Sequence, residues 1–194
     1  MKGVVLCGGY STRMGSDKGL LQYGSSTWAA LAISKLARSI KHIILSVNKG
    51  QYNSYLEKFH GQAAIVKDDE ALDVYGPLKG ILSVHLQYPG SDLLVLACDM
   101  LLIKNEVLEQ LIEISSKGAE EAFVFHNGEQ IQPLCAVYTA SSLAKIYQFY
   151  KQGQLQKHSL HYILKSLKTC YLPFDKKWTI YFSNFNSPDD LSTL

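Results

Sequence analysis

The residues of this sequence best suited to chemistry begin in a glycine-rich, basic stretch near the N-terminus. It reads Leu6-Cys7-Gly8-Gly9-Tyr10-Ser11-Thr12-Arg13-Met14-Gly15-Ser16-Asp17-Lys18 and follows a short apolar run. Glycines let the backbone turn tightly and approach a ligand, and successive N–H groups in such a loop form an anion site. Arg13 and Lys18 add positive charge for phosphate oxygens. We therefore predict a loop that wraps a nucleoside triphosphate.

This stretch matches neither of the two common phosphate-binding patterns. A P-loop requires Gly-x-x-x-x-Gly-Lys-Ser/Thr, whereas here Gly15 is followed by Ser16, Asp17 and Lys18. The dinucleotide pattern Gly-x-Gly-x-x-Gly is also absent. The alternative is a basic surface loop without a ligand. A loop directly after a first buried strand is the usual ligand position in open α/β sheets, which favours the binding interpretation.

Asp99 is the strongest single candidate for catalysis. It follows the predicted buried strand 92–97 and Cys98, so its carboxylate is expected to face a cleft rather than solvent. Mg²⁺ usually binds one or two carboxylates together with substrate phosphates. A magnesium ion at Asp99 would bridge the phosphates of a bound triphosphate and neutralise developing charge. An aspartate that caps a helix or makes a turn is the alternative.

Other polar positions follow predicted strands. Asn48 ends the run 43–47, and an acidic segment from Asp68 to Asp73 follows the run 63–66. Such a segment is usually solvated surface, but one of its carboxylates could accept hydrogen bonds from a ribose or a guanine edge. Gly76-Pro77-Leu78-Lys79-Gly80 opens a helix and could bring backbone amides close to a base, or could serve only tight packing.

A second substrate site is suggested by short uncharged polar residues beside later strands. These residues are Gln132, next to Pro133, and the pair Asn184 and Asn186. Turn formation is the alternative explanation for all three. The six histidines show no metal-ligand spacing, and no Ser-His-Asp or Cys-His arrangement is readable.

The elements that must position these residues alternate in the first part of the chain. Strands are predicted at 2–7, 43–47, 63–66 and 92–97, and helices at 27–40, 52–59, 76–88 and 105–116. Alternation of this kind is typical of a parallel sheet with helices on both faces. Ligands bind outside the carboxyl ends of such strands. The glycine loop, Asn48 and Asp99 are therefore expected to converge on one cleft.

The second part of the chain is less regular. Strands are predicted at 122–125, 134–138, 170–172 and 179–182, with a hairpin turn at Asn127-Gly128, helices at 141–150 and 155–167, and a helix start at Ser187-Pro188. We predict a single domain over 1–194, with a nucleotide-binding part at 1–118 and an acceptor-binding part at 119–194.

Composition excludes several classes of protein. Of 194 residues, 47% are hydrophobic and 19% charged, which is typical of a globular protein. The net charge, 19 − 17 = +2, gives no electrostatic case for nucleic-acid binding. No apolar run approaches the ~18 residues of a membrane span, and no signal-peptide pattern is visible. The four cysteines lie far apart without Cys-x-x-Cys spacing, so we expect buried thiols in a cytoplasmic protein.

The opening stretch closely resembles the nucleotidyltransferase signature Leu-Ala-Gly-Gly-x-Ser-x-Arg-Met-Gly-x-Asp-Lys, in the form found in the molybdenum cofactor guanylyltransferase family. Further motifs continue the resemblance in family order, and they are 76–81, 97–100, 132–138 and 182–191. The sequence departs from the family pattern at Cys7, where Ala is usual, and at Leu101, where Pro is common. Leu102 stands where an aromatic residue is common, and Ser187 and Asp189 replace Thr and Glu.

The resemblance implies a three-layer α/β/α fold with a mostly parallel, Rossmann-like sheet of the nucleotide-diphospho-sugar transferase type. It also implies transfer of GMP from GTP to the terminal phosphate of Mo-molybdopterin, with release of pyrophosphate. The implied catalytic residues are Arg13, Lys18 and Asp99, and the implied Mg²⁺ ligand is Asp99. The implied nucleotide-binding positions are Leu6, Cys7, Gly8, Gly9, Arg13, Lys18, Asn48, Asp68, Gly76, Pro77, Leu78 and Asp99. Ser46 competes with Asn48, and Asp69 with Asp68. Gln132, Asn184 and Asn186 would face the pterin.

The implied substrates are GTP and Mo-molybdopterin, with transient contact to molybdopterin-handling proteins or molybdoenzymes and none to nucleic acid or membrane. The main alternative is a related enzyme: a cytidylyltransferase for molybdopterin, or a transferase for a sugar or alditol phosphate. A nucleotide-binding regulator without catalysis is a remote alternative, and the joint presence of Arg13, Lys18 and Asp99 argues against it.

Overall fold

The computed structural model describes residues 1–8, 17–185 and 190. The strands in this part of the chain are β1 (Lys2–Leu6), β2 (Gln22–Tyr23), β3 (Ser26–Thr27), β4 (Ile43–Val47), β5 (Ala64–Lys67), β6 (Leu93–Ala97), β7 (Ala122–His126), β8 (Ile131–Tyr138) and β9 (Thr169–Pro173). The α-helices are α1 (Trp28–Leu36), α2 (Tyr52–Lys58), α3 (Pro77–Gln87), α4 (Asn105–Lys117), α5 (Ala140–Lys151) and α6 (Leu160–Ser166). Two 3-10 helices span Lys18–Leu20 and Lys176–Phe182.

The main sheet has seven strands in the order β5-β4-β1-β6-β8-β7-β9, and β2 with β3 forms a separate two-stranded ribbon. The first four strands are parallel, as is the β7–β9 pair, while β8 runs antiparallel to both of its neighbours. The carboxyl ends of β1, β4, β5 and β6 therefore share one edge of the sheet. Because Cys135 of β8 pairs with Leu96 of β6, the start of β8 extends the same edge.

Helices cover both faces of the sheet. One face packs α1, α2 and α4 through Ile33, Leu36, Tyr55, Val107 and Leu111. The other packs α3, α5 and α6 through Leu78, Ile81, Leu143, Ile146 and Ile163. The predicted three-layer α/β/α fold with a mostly parallel sheet is confirmed. The division into two parts at residue 118 stays a prediction.

Local sequence explains where helices α1 and α3 begin. Thr27 precedes α1, and its hydroxyl accepts a hydrogen bond from the backbone N–H of Ala30 at 3.3 Å, as an N-cap should. Pro77 opens α3, where its missing N–H has no helical partner to lose. Gly76 before it has φ +67° and ψ −156°, a backbone conformation that other residues rarely adopt.

The predicted strand at 179–182 is wrong, because this segment belongs to the 3-10 helix Lys176–Phe182. The Asp175 carboxylate accepts from the backbone N–H of Lys177 at 3.0 Å and starts the turn. The rings of Trp178 and Phe182 both pack on Phe125, with centroids 6.2 and 5.6 Å away. These two aromatic contacts anchor both ends of the segment to the same core ring.

Smaller differences concern boundaries. The helix predicted at 155–167 begins only at Leu160, after Ser159. The ribbon of β2 and β3 and the 3-10 helix at Lys18–Leu20 were not predicted, because elements of two or three residues are too short for a periodic pattern. The helix start predicted at Ser187-Pro188 lies outside the described residues.

Candidate active site

A cleft of about 530 Å³ lies at the shared carboxyl edge of the parallel strands. Its described lining comes from the segments that follow β1, β4, β5 and β6, from the start of α3, and from Lys18. The predicted convergence of the glycine loop, Asn48 and Asp99 is confirmed for Gly8, which is the described end of that loop. Gly9 and Arg13 lie outside the described residues.

Asp99 and Lys18 form an ion pair at the floor of the cleft. Lys18 Nζ lies 3.3 Å from Asp99 Oδ2, and the two side chains are only 24% and 19% exposed. Lys18 Nζ also donates to the carbonyl of Phe185 at 3.4 Å, and the N–H of Phe185 donates to the carbonyl of Asp99 at 3.1 Å. The C-terminal segment thus holds both partners in place.

The second carboxylate oxygen of Asp99 is available to a cation. Asp99 Oδ1 is buried and has no hydrogen-bond partner among the described residues. Burial raises the pKa of Asp99, and the neighbouring Lys18 opposes that rise. Within the described ranges, no group of three His, Cys, Asp or Glu residues could hold a metal. A single carboxylate completed by substrate phosphates is a donor set that suits Mg²⁺.

Gly8 lets the backbone after β1 pass close to Asp68 and Asn48. A Cβ at Gly8 would lie 3.4 Å from Asp68 Oδ2 and 3.5 Å from the backbone nitrogen of Asn48. Leu6 and Cys7 precede it in the lining. The thiol of Cys98 is buried beside Cys7. Its pKa is raised mainly by the hydrogen bond with Cys7 and next by burial. A protonated thiol in such surroundings is a packing group and not a nucleophile.

Asp68 and Glu70 are the members of the acidic segment that line the cleft, and Glu70 is an exposed residue paired with Lys49 at 3.0 Å. Asp68 Oδ1 is buried without a hydrogen-bond partner among the described residues. Burial raises the pKa of Asp68 to about 6, and Lys79 opposes the rise. Asp69 is not part of the lining, and its carboxylate accepts from the N–H of Ala71 at 2.9 Å. Of these two carboxylates, Asp68 lines the cleft and Asp69 does not, and which of them contacts the nucleotide stays a prediction.

Ser46 and Asn48 both line the cleft, so position does not separate them. Ser46 is 1% exposed, and a Cβ at Gly80 would overlap its hydroxyl, which shows how closely α3 crosses β4. The Asn48 side chain bridges to Gly8, with Nδ2 donating to the carbonyl of Gly8 at 3.5 Å. Its Oδ1 accepts from the backbone N–H of Gln51 at 3.1 Å.

The start of α3 supplies the wall beside Asp68. Gly76 and Pro77 line the cleft as predicted, whereas the Leu78 side chain is buried in the core at 1% exposure. Lys79 also lines the cleft and was missed, although it stood in the same motif. Tyr75 is 68% exposed at the rim, and its ring lies 5.4 Å from that of His158.

Of the predicted acceptor-binding residues, neither Gln132 nor Asn184 is part of the lining of the cleft. Gln132 lies in β8 near the cleft edge but is not part of the lining, while Leu134 of the same strand is. Asn184 is exposed, next to the Phe185 backbone that contacts Asp99 and Lys18. Asn186 lies outside the described residues. The roles of all three stay predictions.

One polar network beside the cleft was not predicted. The Asp17 carboxylate accepts hydrogen bonds from Gly19 N at 3.0 Å, Gln51 Nε2 at 2.8 Å and Tyr55 Oη at 2.8 Å. Asp17 was part of the opening motif, which was the available signal. Nothing in the sequence pairs it with the start of α2.

The sheet order, the helices on both faces and the position of the cleft are those of the nucleotide-diphospho-sugar transferase type of fold. The family model for the MobA-like NTP transferase domain matches residues 3–169. The chain therefore belongs to the MobA-like NTP transferase family, a family of nucleotidyltransferases, and the resemblance seen in the sequence motifs is confirmed.

Individual relatives agree with that placement. The chain is 26% identical to a probable molybdenum cofactor guanylyltransferase from Geobacillus sp., covering 100% of this chain and 97% of that protein. It is 30% identical to a molybdenum cofactor biosynthesis bifunctional protein from Synechocystis sp., covering 99% of this chain but spanning only 53% of that protein. The structure of molybdopterin-guanine dinucleotide biosynthesis protein A from Archaeoglobus fulgidus is similar with a TM-score of 0.79 and 25% identity, covering 100% of this chain and 96% of that one.

Proposed function

We propose that this protein transfers GMP from GTP to the terminal phosphate of Mo-molybdopterin, releasing pyrophosphate. The observation that carries the proposal is the Lys18–Asp99 pair at the floor of the cleft, with one Asp99 oxygen open to a cation. The names of the Geobacillus and Archaeoglobus relatives support the choice of nucleotide and acceptor.

The two ends of the cleft suit the two ends of GTP. The phosphates would lie between the Gly8 backbone and Lys18, with Arg13 adding charge from the same loop. The base would lie between Asp68 and the start of α3. Guanine presents N–H donors at N1 and N2, and a carboxylate accepts from donors of this kind. With a pKa of about 6, Asp68 is ionised at neutral pH and can accept them.

The reaction needs little acid–base help from the protein. An anionic phosphate oxygen of the pterin attacks the α-phosphorus of GTP and forms a new P–O bond. The bond between that phosphorus and the oxygen bridging to the β-phosphate breaks, and the electron pair leaves on pyrophosphate. Because the attacking group is already ionised, positioning and charge neutralisation carry the rate.

Residues of this chain supply that positioning. Lys18 and Arg13 would bind the phosphate oxygens, and the Phe185 carbonyl keeps Lys18 pointed at the cleft. Asp99 would hold Mg²⁺, which supplies positive charge to the phosphate oxygens when bound. Within the described part of the chain, Asp99 Oδ1 has no hydrogen-bond partner, and the described residues contain no group of three or more His, Cys, Asp or Glu that could hold a metal. Both facts agree with one protein ligand and several phosphate or water ligands.

We further propose a cytoplasmic enzyme that meets molybdopterin-handling proteins or molybdoenzymes transiently. The four free cysteines agree with a reducing compartment. None of the helices in the described part of the chain combines the length and apolarity needed to cross a bilayer.

Two measurements test the proposed function. Thermal unfolding with Mg²⁺ and a series of nucleotides should show a larger stabilisation by GTP than by CTP or ATP, since a ligand that binds only the folded state raises its stability. Pyrophosphate release should then require GTP, Mg²⁺ and the pterin acceptor together. Preference for CTP would establish the cytidylyltransferase alternative, and nucleotide binding without pyrophosphate release would indicate a regulator.

A further inference from the structure

We infer that Gln51 is a positioning residue that acts on the reaction through Lys18. Its side-chain amide ties together the three chain segments that build the phosphate end of the cleft. The inference rests on the proposed function, because Lys18 matters only if the cleft binds a phosphorylated substrate.

The side-chain amide of Gln51 makes three hydrogen bonds, each to a different segment of the chain. Its Oε1 accepts from the backbone N–H of Asn48, directly after β4, at 2.9 Å. Its Nε2 donates to the carbonyl of Cys7, directly after β1, at 2.9 Å. The same Nε2 donates to Asp17 Oδ2 at 2.8 Å. Both amide hydrogens are engaged, so the side chain has one orientation and not a choice of several.

The Asp17 carboxylate passes this constraint to Lys18. Its other oxygen, Oδ1, accepts from Gly19 N at 3.0 Å and thereby starts the 3-10 helix that contains Lys18. Tyr55, one turn into α2, donates to the same oxygen at 2.8 Å. A Cβ at Gly19 would overlap the Tyr55 hydroxyl, so the backbone next to Lys18 lies directly against this ring. Burial raises the pKa of Tyr55, which keeps its hydroxyl a donor.

Lys18 is therefore held at both ends. At its backbone, Asp17 and the network behind it fix the direction in which the side chain leaves. At its tip, Nζ meets Asp99 Oδ2 at 3.3 Å and the Phe185 carbonyl at 3.4 Å. Without the constraint from Asp17, the Lys18 ammonium stays in the cleft but is no longer held in a single position. A displacement on the order of 1 Å at a reacting site can lower a rate by about 100-fold.

A double-mutant cycle separates this role from general support of the fold. Gln51→Met keeps the length of the side chain and removes its hydrogen bonds. Lys18→Met removes the charge. Since Gln51 acts through Lys18, we expect Gln51→Met to lower kcat on the order of 10-fold with little change in KM for GTP. In the Lys18→Met background, the same change should lower kcat by less than about twofold.

Tyr55→Phe and Tyr138→Phe form a matched pair that covers the case in which Gln51→Met does not fold. Both substitutions remove one buried hydroxyl, and the Tyr138 hydroxyl donates to the carbonyl of Pro133 at 2.9 Å, away from the network. We expect Tyr55→Phe to lower kcat several-fold and Tyr138→Phe to leave kcat unchanged at a similar loss of stability. Equal effects of the two on kcat would overturn the inference.

A measurement without nucleotide keeps this inference distinct from the proposed function. Lysines carrying ¹³C-methyl groups can be observed by NMR, and the Lys18 signal is assigned by its loss in Lys18→Met. We expect Gln51→Met to move that signal towards those of exposed lysines. An unchanged Lys18 signal, or losses in kcat that multiply in the double variant, would overturn the inference. Absence of GTP binding and pyrophosphate release in the unsubstituted protein, with the Lys18 signal moving as expected, would overturn the proposed function alone.

Discussion

The two halves of the central sheet differ in how they reach the functional edge. In the half formed by β5, β4, β1 and β6, all strands are parallel, and each ends at the cleft with a polar or glycine residue. In the half formed by β8, β7 and β9, the strand next to β6 runs the other way, so it begins at that edge. Gly8, Asn48, Asp68 and Asp99 line the cleft, whereas Gln132 does not.

The difference shows what parallel strands make predictable. When strands are parallel, every carboxyl end must lie at the same edge, so a polar residue after each apolar run can be placed without knowing the pairing. The position of a residue in the antiparallel β8 depends on which residues of β6 and β7 it pairs with. The register of the β7–β8 pair also shifts between Val124 and His126. A shift of one residue moves a side chain to the other face of a sheet, so the position of Gln132 could not be placed in this way.

The largest expected effect comes from the two ends of a single strand in the parallel half. Asp99 follows β6 and Asp92 precedes it, and Asp92 Oδ1 accepts from the N–H of Ala140 at 2.8 Å. We expect Asp99→Asn to lower turnover on the order of 10²–10³-fold. The substitution removes the negative charge that would hold the proposed Mg²⁺ beside the phosphates. Asp92→Asn should leave turnover within about twofold, since the amide oxygen still accepts that bond.

Steady-state pyrophosphate release and thermal unfolding of both variants provide the measurement. Asp99→Asn keeps an oxygen for Lys18, so its melting temperature should not fall. Near-normal turnover by Asp99→Asn at saturating Mg²⁺ would remove Asp99 from the proposed site. A large loss in Asp92→Asn would show that the two ends of β6 are not functionally distinct.

Asp68→Asn is expected to have opposite effects on stability and on binding. The folded state raises the pKa of Asp68 from 3.8 to about 6, so between these values the folded protein binds more protons than the unfolded one. Its free energy of unfolding therefore falls as pH rises through this window and stays lowered above it. Because the carboxyl still faces the open cleft, Asp68→Asn should stabilise the protein at pH 8 by about 1 kcal/mol.

Denaturant unfolding at pH 8 and pH 5 tests this window, and the gain should be smaller at pH 5. In parallel, GTP binding should weaken about 10-fold, as expected when a charged acceptor for the base is lost. A variant that is less stable at pH 8 would contradict the assigned cause of the pKa shift. Unchanged GTP affinity would remove Asp68 from the nucleotide site while leaving the stability argument intact.

Lys79→Met tests the cation that opposes this shift. Its removal should raise the pKa of Asp68 above about 6, because the favourable charge beside the carboxylate is lost. GTP affinity should fall by at most about fivefold, the range expected for a partly exposed charge. Lys145→Met, which breaks the 2.9 Å pair with Glu121, serves as the control and should leave the affinity unchanged. A lower pKa of Asp68 in Lys79→Met would show that Lys79 does not act on it.

The smallest effect is expected in the other half of the sheet. Gln132→Ala should raise KM for the pterin acceptor by about twofold, the lower range for one neutral hydrogen bond, and leave GTP affinity unchanged. Kinetics at varied acceptor and fixed GTP measure it. A change in GTP affinity instead would assign Gln132 to the nucleotide site. The two halves of the sheet would then not bind separate substrates.

The sequence carried enough information for the strands of the parallel half and the direction in which their polar ends face. It did not carry the partners of Asp17, because hydrogen bonds to Gln51 and Tyr55 depend on where α2 packs. The strand predicted at 179–182 is wrong for a similar reason. An apolar run that begins with a β-branched residue is compatible with either a strand or a helical turn. In that segment packing on Phe125 decides, and packing is a tertiary property.

The backbone hydrogen bond from Phe185 to Asp99 has a consequence for synthesis of the protein. A ribosome releases the parallel half first, and its strands can pair while the rest of the chain is still being made. The Phe185 carbonyl that holds Lys18 and the Phe185 N–H that holds the Asp99 turn are made only after all seven strands of the main sheet. Nascent chains that stop before Phe185 are therefore expected to contain the sheet edge without the contacts that hold Lys18 and Asp99, so the proposed phosphate end is completed only after the sheet.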